Sequence, residues 1–123
     1  LHVPLWKETR HMIGVHEFET MRQDAMLINT ARGGIVDETA LRDALEKGFI
    51  EGAAIDVFDT EPITTADDPF VMHLHLVATP HIGFVTEDEF EIQFSDIFDQ
   101  LVTLQAGEPF HMVNPQVWPQ NRL

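Results

Sequence analysis

Along the 123 residues, short apolar runs alternate with longer amphipathic ones, the pattern that βα units make around a parallel sheet. Over residues 14–24 the apolar residues Val15, Phe18 and Met21 recur at helical spacing. The run Ala25-Met26-Leu27-Ile28 that follows is short and apolar enough to predict a buried strand. Gly33-Gly34 breaks the chain after Arg32, and Asp37 then stands as an N-cap for a helix through Leu41, Ala44 and Leu45 that ends near Gly48. Residues 52–58 predict the next strand, and residues 60–69, with Pro62, Asp67, Asp68 and Pro69, predict a loop. Residues 74–79 predict a third strand, interrupted by His75 and stopped by Pro80.

Thr86 followed three residues later by Glu89 fits a capping box. From there Phe90, Phe94, Ile97, Phe98, Leu101 and Leu104 carry an apolar stripe to about Gly107, which predicts the longest helix of the chain. Core or dimer packing is the commoner use of such a stripe. The tail holds Pro109, Pro115 and Pro119 with little periodicity, so it is expected to be irregular and docked on something else. The fold class is therefore α/β, a parallel sheet with flanking helices followed by a long helix and a tail.

Composition narrows the partners. With 44% apolar residues the chain can bury one core. Seven basic against 21 acidic side chains give a net charge of −14, which repels phosphate backbones and anionic membrane surfaces and argues against nucleic acid or lipid as partners. The absence of cysteine excludes disulfides, thiolate catalysis and cysteine-ligated zinc. No stretch approaches the roughly 18 apolar residues that span a bilayer, so a cytoplasmic location is the default expectation. The chain starts with Leu1, and Leu1-His2-Val3-Pro4-Leu5 reads as a strand end followed by a turn, which leads us to expect a fragment.

The chemistry-bearing side chains fall at strand ends. Arg32 follows the first apolar run, Asp56 and Glu61 lie at and beyond the second, and His81 closely follows the third. In an open parallel sheet ligands bind outside the carboxyl ends of the strands, so an arginine, two carboxylates and a histidine are expected on one edge. A guanidinium is a rigid fork that matches a carboxylate, which suits Arg32 to anchoring an acid while Gly33 and Gly34 allow close approach. An imidazole exchanges a proton near neutral pH, and a carboxylate such as Glu61 holds one tautomer. Singly, each has a bland reading as a surface ion pair, a turn or a loop, and spacing alone names no reaction. His73-x-His75 lacks a third ligand placed by sequence, so no metal is expected. His2, His11, His16 and His111 read as surface or packing residues.

Several words resemble the D-isomer-specific 2-hydroxyacid dehydrogenases. They are Leu1-His2-Val3-Pro4-Leu5, Ile28-Asn29-Thr30-Ala31-Arg32-Gly33-Gly34-Ile35-Val36-Asp37, Ala54-Ile55-Asp56-Val57-Phe58, Glu61-Pro62 and Thr79-Pro80-His81-Ile82-Gly83. The resemblance runs in order to about Pro115. It implies a two-domain enzyme of which residues 1–107 hold the second half of a Rossmann-like NAD(P)-binding domain ending in an interdomain helix. Residues 108–123 would be a tail belonging to the substrate domain.

The resemblance also implies roles. Arg32 matches the substrate-binding arginine, Glu61 the carboxylate that pairs with the histidine, and His81 the general acid/base. A hydride then passes between NAD or NADP and C2 of a 2-hydroxy or 2-keto acid. Cofactor contacts are implied for Val3, Pro4 and Thr9, for Thr30, Ala31 and Arg32 largely through backbone, for Asp56 at the carboxamide, for His81, and for Gly83 close to the ring. A homodimer is implied for the full-length protein. The chain contains no G-x-G-x-x-G, so weak or no NAD binding is expected of these 123 residues alone. Relatives that act as dinucleotide-binding corepressors supply an alternative of another class, and a fragment without activity supplies a third.

Overall fold

The computed structural model describes residues 1–65 and 67–118; Pro119, read above as part of the tail, lies outside the described residues. The chain divides into two compact units, Leu1–Gly83 and Phe84–Leu123.

In the first unit α1 spans Val15–Thr20, β1 Met26–Asn29, α2 Glu38–Glu46, β2 Gly52–Ile55 and β3 Leu76–Ala78. The strands form one parallel sheet in the order β1-β2-β3, with Leu27 opposite Ala53, Ala53 opposite Leu76, and Asn29 opposite Ile55. Parallel pairing puts the carboxyl ends of all three strands on one edge, as the strand-end reading required.

α2 begins where its sequence says. The Asp37 carboxylate accepts the N–H groups of Thr39 and Ala40 at 3.0 Å each, satisfying two donors that the first turn leaves over. Ala40, Leu41, Ala44 and Leu45 share the inward face, and Gly48 closes the helix with φ of +66°. That face meets Phe18, Leu27, Ile50, Ala53, Ile55 and Phe70 in the core. Each large side chain fully buried there, such as Phe18 or Leu41, contributes about 1.5–3 kcal/mol.

Several elements differ from the expectation. β1 is not buried on both faces: Leu27 and Asn29 point inward, while Met26 is 68% and Ile28 56% exposed. α1 lies on the same side as α2 and leaves the other face open, which restores the period of two that the apolar run concealed. α1 is shorter than residues 14–24, since Met21 already has extended backbone, and Val15 is exposed. β2 and β3 stop at Ile55 and Ala78, because the chain turns at Asp56 and Thr79 to build the site described below. Gly33–Ile35 is one 3₁₀ turn rather than a plain break.

In the second unit α3 spans Glu87–Gln105, capped by Thr86 Oγ1, which accepts the Glu89 N–H at 3.1 Å. Phe90 and Phe94 stack with ring centroids 4.3 Å apart. The apolar stripe is present but exposed, and no residue of α3 is buried. Among the described residues the tail is irregular apart from a 3₁₀ turn at Pro115–Val117. Among the described residues no helix is long and apolar enough to cross a membrane.

Candidate active site

Beyond β3 the chain turns at Pro80 and holds His81 in the left-handed region, φ +58°. For an L-residue that conformation costs about 1–2 kcal/mol, so the surroundings must impose it. Asp56, directly after β2, does so. Its Oδ1 accepts the hydroxyl of Thr79 and, at 2.9 Å, the N–H of Ile82, while Oδ2 accepts the N–H of Gly83 at 2.7 Å. Burial at 4% exposure pushes the Asp56 carboxyl up. The three hydrogen bonds and the charge of His81 outweigh that and hold it below the ordinary carboxylate range. Asp56 thus organises the turn that presents His81, in addition to the cofactor contact implied by resemblance.

His81 Nδ1 meets Glu61 Oε2 at 2.7 Å. The second oxygen of the same carboxylate, Oε1, accepts the N–H of Phe58 at 2.8 Å, which fixes the plane of the group. Burial pushes the Glu61 carboxyl up. The hydrogen bonds from His81 and Phe58, with the charges of His81 and Arg32, more than offset it and hold Glu61 below the usual range. Glu61 is therefore a carboxylate at neutral pH. The pair borders a cavity of about 510 Å³ whose other walls include Phe58, Ile63, Val71 and Ala78.

Arg32 is exposed, and its Nη1 donates to the carbonyl of Ala31 at 2.6 Å. It lines a different hollow from Glu61 and His81, a groove of about 580 Å³ shared with His2, Val3, Pro4, Leu5 and Ala31. Four residues to which resemblance assigns cofactor contacts, Val3, Pro4, Ala31 and Arg32, therefore stand around one space. Thr9 shapes its wall: its hydroxyl donates to the Pro4 carbonyl at 2.7 Å and accepts the Trp6 N–H at 2.8 Å. Thr30 approaches Gly83, with its Cβ 3.9 Å from where a Cβ on that glycine would stand. The lining of the groove combines the apolar residues Val3, Pro4, Leu5 and Ala31 with the side chains of His2 and Arg32.

Two features escaped the sequence reading. Asn29 is 1% exposed, and its side chain spans the turn after β1: Nδ2 donates to the Arg32 carbonyl at 3.0 Å and Oδ1 accepts the Ala31 N–H at 3.1 Å. The signal was a lone amide at an inward position of an apolar strand, where a buried polar group must find partners. The second concerns Gly33, expected to let a ligand approach. A Cβ there would lie 2.1 Å from the carbonyl carbon of Phe58 and 2.6 Å from the Asp59 nitrogen, so what comes close is the chain itself. His73 and His75 have ring centroids 5.9 Å apart, and among the described residues no group of three or more His, Asp or Glu side chains is placed to hold a metal.

Residues 1–83 match the family model described as D-isomer specific 2-hydroxyacid dehydrogenase, NAD binding domain. The chain is 40% identical over 118 residues to a glyoxylate reductase of Korarchaeum cryptofilum, covering 95% of this chain and 35% of that protein. Among solved structures, a putative D-3-phosphoglycerate dehydrogenase from Ralstonia solanacearum superposes with a TM-score of 0.84 at 33% identity, covering 96% of this chain and 34% of that one. D-lactate dehydrogenase with NAD+ from Lactobacillus jensenii gives 0.78 at 33% identity, covering 92% and 38%. The chain thus spans little more than a third of the length of these proteins, and its parallel sheet with flanking helices is the Rossmann-like arrangement they share. By this match over residues 1–83, the chain belongs to the D-isomer specific 2-hydroxyacid dehydrogenase family.

Proposed function

We propose that the chain carries the acid–base and carboxylate-binding groups of an oxidoreductase that passes a hydride between NAD(P) and a 2-hydroxy or 2-keto acid. The observation that carries this reading is the 2.7 Å contact of His81 Nδ1 with Glu61, at the carboxyl edge of a parallel sheet. With Nδ1 on Glu61, the proton exchanged with substrate is carried by Nε2. In the reducing direction protonated His81 gives that proton to the 2-keto oxygen, and C2 gains a hydride. Oxidation runs the same transfers in reverse. Val3, Pro4, Thr30, Ala31 and Arg32, with Asp56 and Gly83, would hold NAD(P), which would supply or take the hydride.

Glu61, kept ionised, stabilises the imidazolium whenever His81 holds both protons. The Arg32 fork binds the substrate carboxylate and sets C2 against the cofactor groove. Residues 1–107 are assigned to the cofactor domain with its crossing helix, and residues 108–123 to the substrate domain.

The test is NADH oxidation by the full-length protein with a panel of 2-keto acids, among them glyoxylate, hydroxypyruvate and pyruvate. Turnover is expected with at least one. His81→Gln should lower kcat by about 10²–10⁴, and Arg32→Gln should raise KM for the acid. No turnover with any acid, or an unchanged rate in His81→Gln, overturns the assignment.

A further inference from the structure

Glu61 cannot aim at His81 unless the short segment before it is held. Its Oε1 takes the Phe58 N–H at 2.8 Å, so the carboxylate is tied to the Val57–Phe58 peptide, which is joined through the Phe58 Cα to the Phe58–Asp59 peptide. That peptide runs against Gly33, closely enough that no side chain fits between. The N–H of Asp59 donates to Glu38 Oε1 across 21 residues of sequence. Glu38 is the first residue of α2, directly after the N-cap Asp37, and is half-buried against the loop.

We propose that Glu38 is a positioning residue for the Glu61–His81 pair, fixing the Phe58–Asp59 segment from the start of α2 so that the Phe58 N–H orients the Glu61 carboxylate. The capping of α2 does not need Glu38, because Asp37 already accepts both Thr39 and Ala40. An acid spent only on favouring the helix N-terminus would gain from staying in solvent. Instead burial pushes the Glu38 carboxyl up, and the charges of Asp59 and Asp68 push it further; the Asp59 N–H and the charge of Arg42 pull it down. The group is held at an electrostatic cost, and the bond it makes is to the segment carrying Glu61.

The proposal draws its catalytic meaning from the function above, so the experiment separates the two. NMR of the labelled protein reads which nitrogen of neutral His81 carries the proton and where the Glu61 carboxyl titrates. Glu61→Gln should abolish the bias of His81 towards the Nδ1–H tautomer; if it does not, the pair itself is wrong and both readings fall. Glu38→Ala should lose part of that bias and make Glu61 titrate at higher pH, because the Phe58 N–H no longer stabilises its charge. Simple removal of a neighbouring negative charge would shift Glu61 the opposite way. Glu38→Gln keeps the acceptor and should restore both signals. Glu38→Asp draws the carboxylate back by one methylene and should behave like Glu38→Ala, which keeps the test alive if the alanine variant does not fold. Unchanged His81 and Glu61 signals in every folded Glu38 variant, or Glu38→Gln shifting them as far as Glu38→Ala, overturn the proposal.

Discussion

Asp56 Oδ2 accepts the N–H of Gly83 at 2.7 Å, and a Cβ on Gly83 would stand 2.9 Å from that same oxygen. The glycine lets the turn after β3 close onto the end of β2, and that closure sets the backbone of His81. Gly83→Ala should therefore cost about 1–3 kcal/mol as carboxylate and turn move apart. Urea unfolding measures it, with Gly14→Ala as the control: a Cβ there meets only ordinary contacts at 3.7 and 3.9 Å, so the loss should stay below about 1 kcal/mol.

Gly33→Ala should be more damaging. The added Cβ meets the Phe58 carbonyl and the Asp59 nitrogen, which are backbone and have no rotamer to yield. A loss of at least about 3 kcal/mol is expected. The same denaturation series checks it, and a loss under about 1 kcal/mol would mean that the two loops do not touch.

Asn29→Asp keeps the acceptor for the Ala31 N–H but replaces donation to the Arg32 carbonyl with repulsion between oxygens in a buried place. The expected cost is about 1–3 kcal/mol. Amide exchange should quicken at Ala31 and Arg32 while α2 stays protected; uniform protection across the turn would remove Asn29 from its assigned task.

Stability should fall at acid pH in a defined window. Asp56 and Glu61 have carboxyls lowered from ordinary values of 3.8 and 4.5. Each adds stability that is complete above those values and is lost as pH falls through the lower folded ones. Glu38 works the other way: raised from 4.5, it costs stability as pH climbs from there to its folded value. The unfolding midpoint, followed from about pH 7 to about pH 2, should drop most steeply below about pH 4. Asp56→Asn should flatten part of that drop, and an unaltered slope would count against the ionised Asp56 staple.

The order of elements was legible because it rests on local rules. Asp37 caps α2 and Gly48 ends it, as their positions predict, since capping involves atoms within four residues. Placement of Arg32, Asp56, Glu61 and His81 after three apolar runs was equally readable once the runs were taken as parallel strands. The apolar run of β1 hid its alternation, because Met26 and Ile28 are as apolar as the inward Leu27, and composition does not say which face is covered.

By itself the sequence determined the α/β order, both ends of α2, the strand-end placement of the charged groups and the family words, all set by neighbours along the chain. Only the tertiary structure decided that Asp56 turns inward to staple the His81 turn, that Gly33 makes room for the Phe58 backbone, and that Glu38 reaches Asp59. Those contacts join residues more than 20 positions apart. They exist only once parallel register brings the loops after β1, β2 and β3 to one edge, and no local preference encodes which atoms then meet.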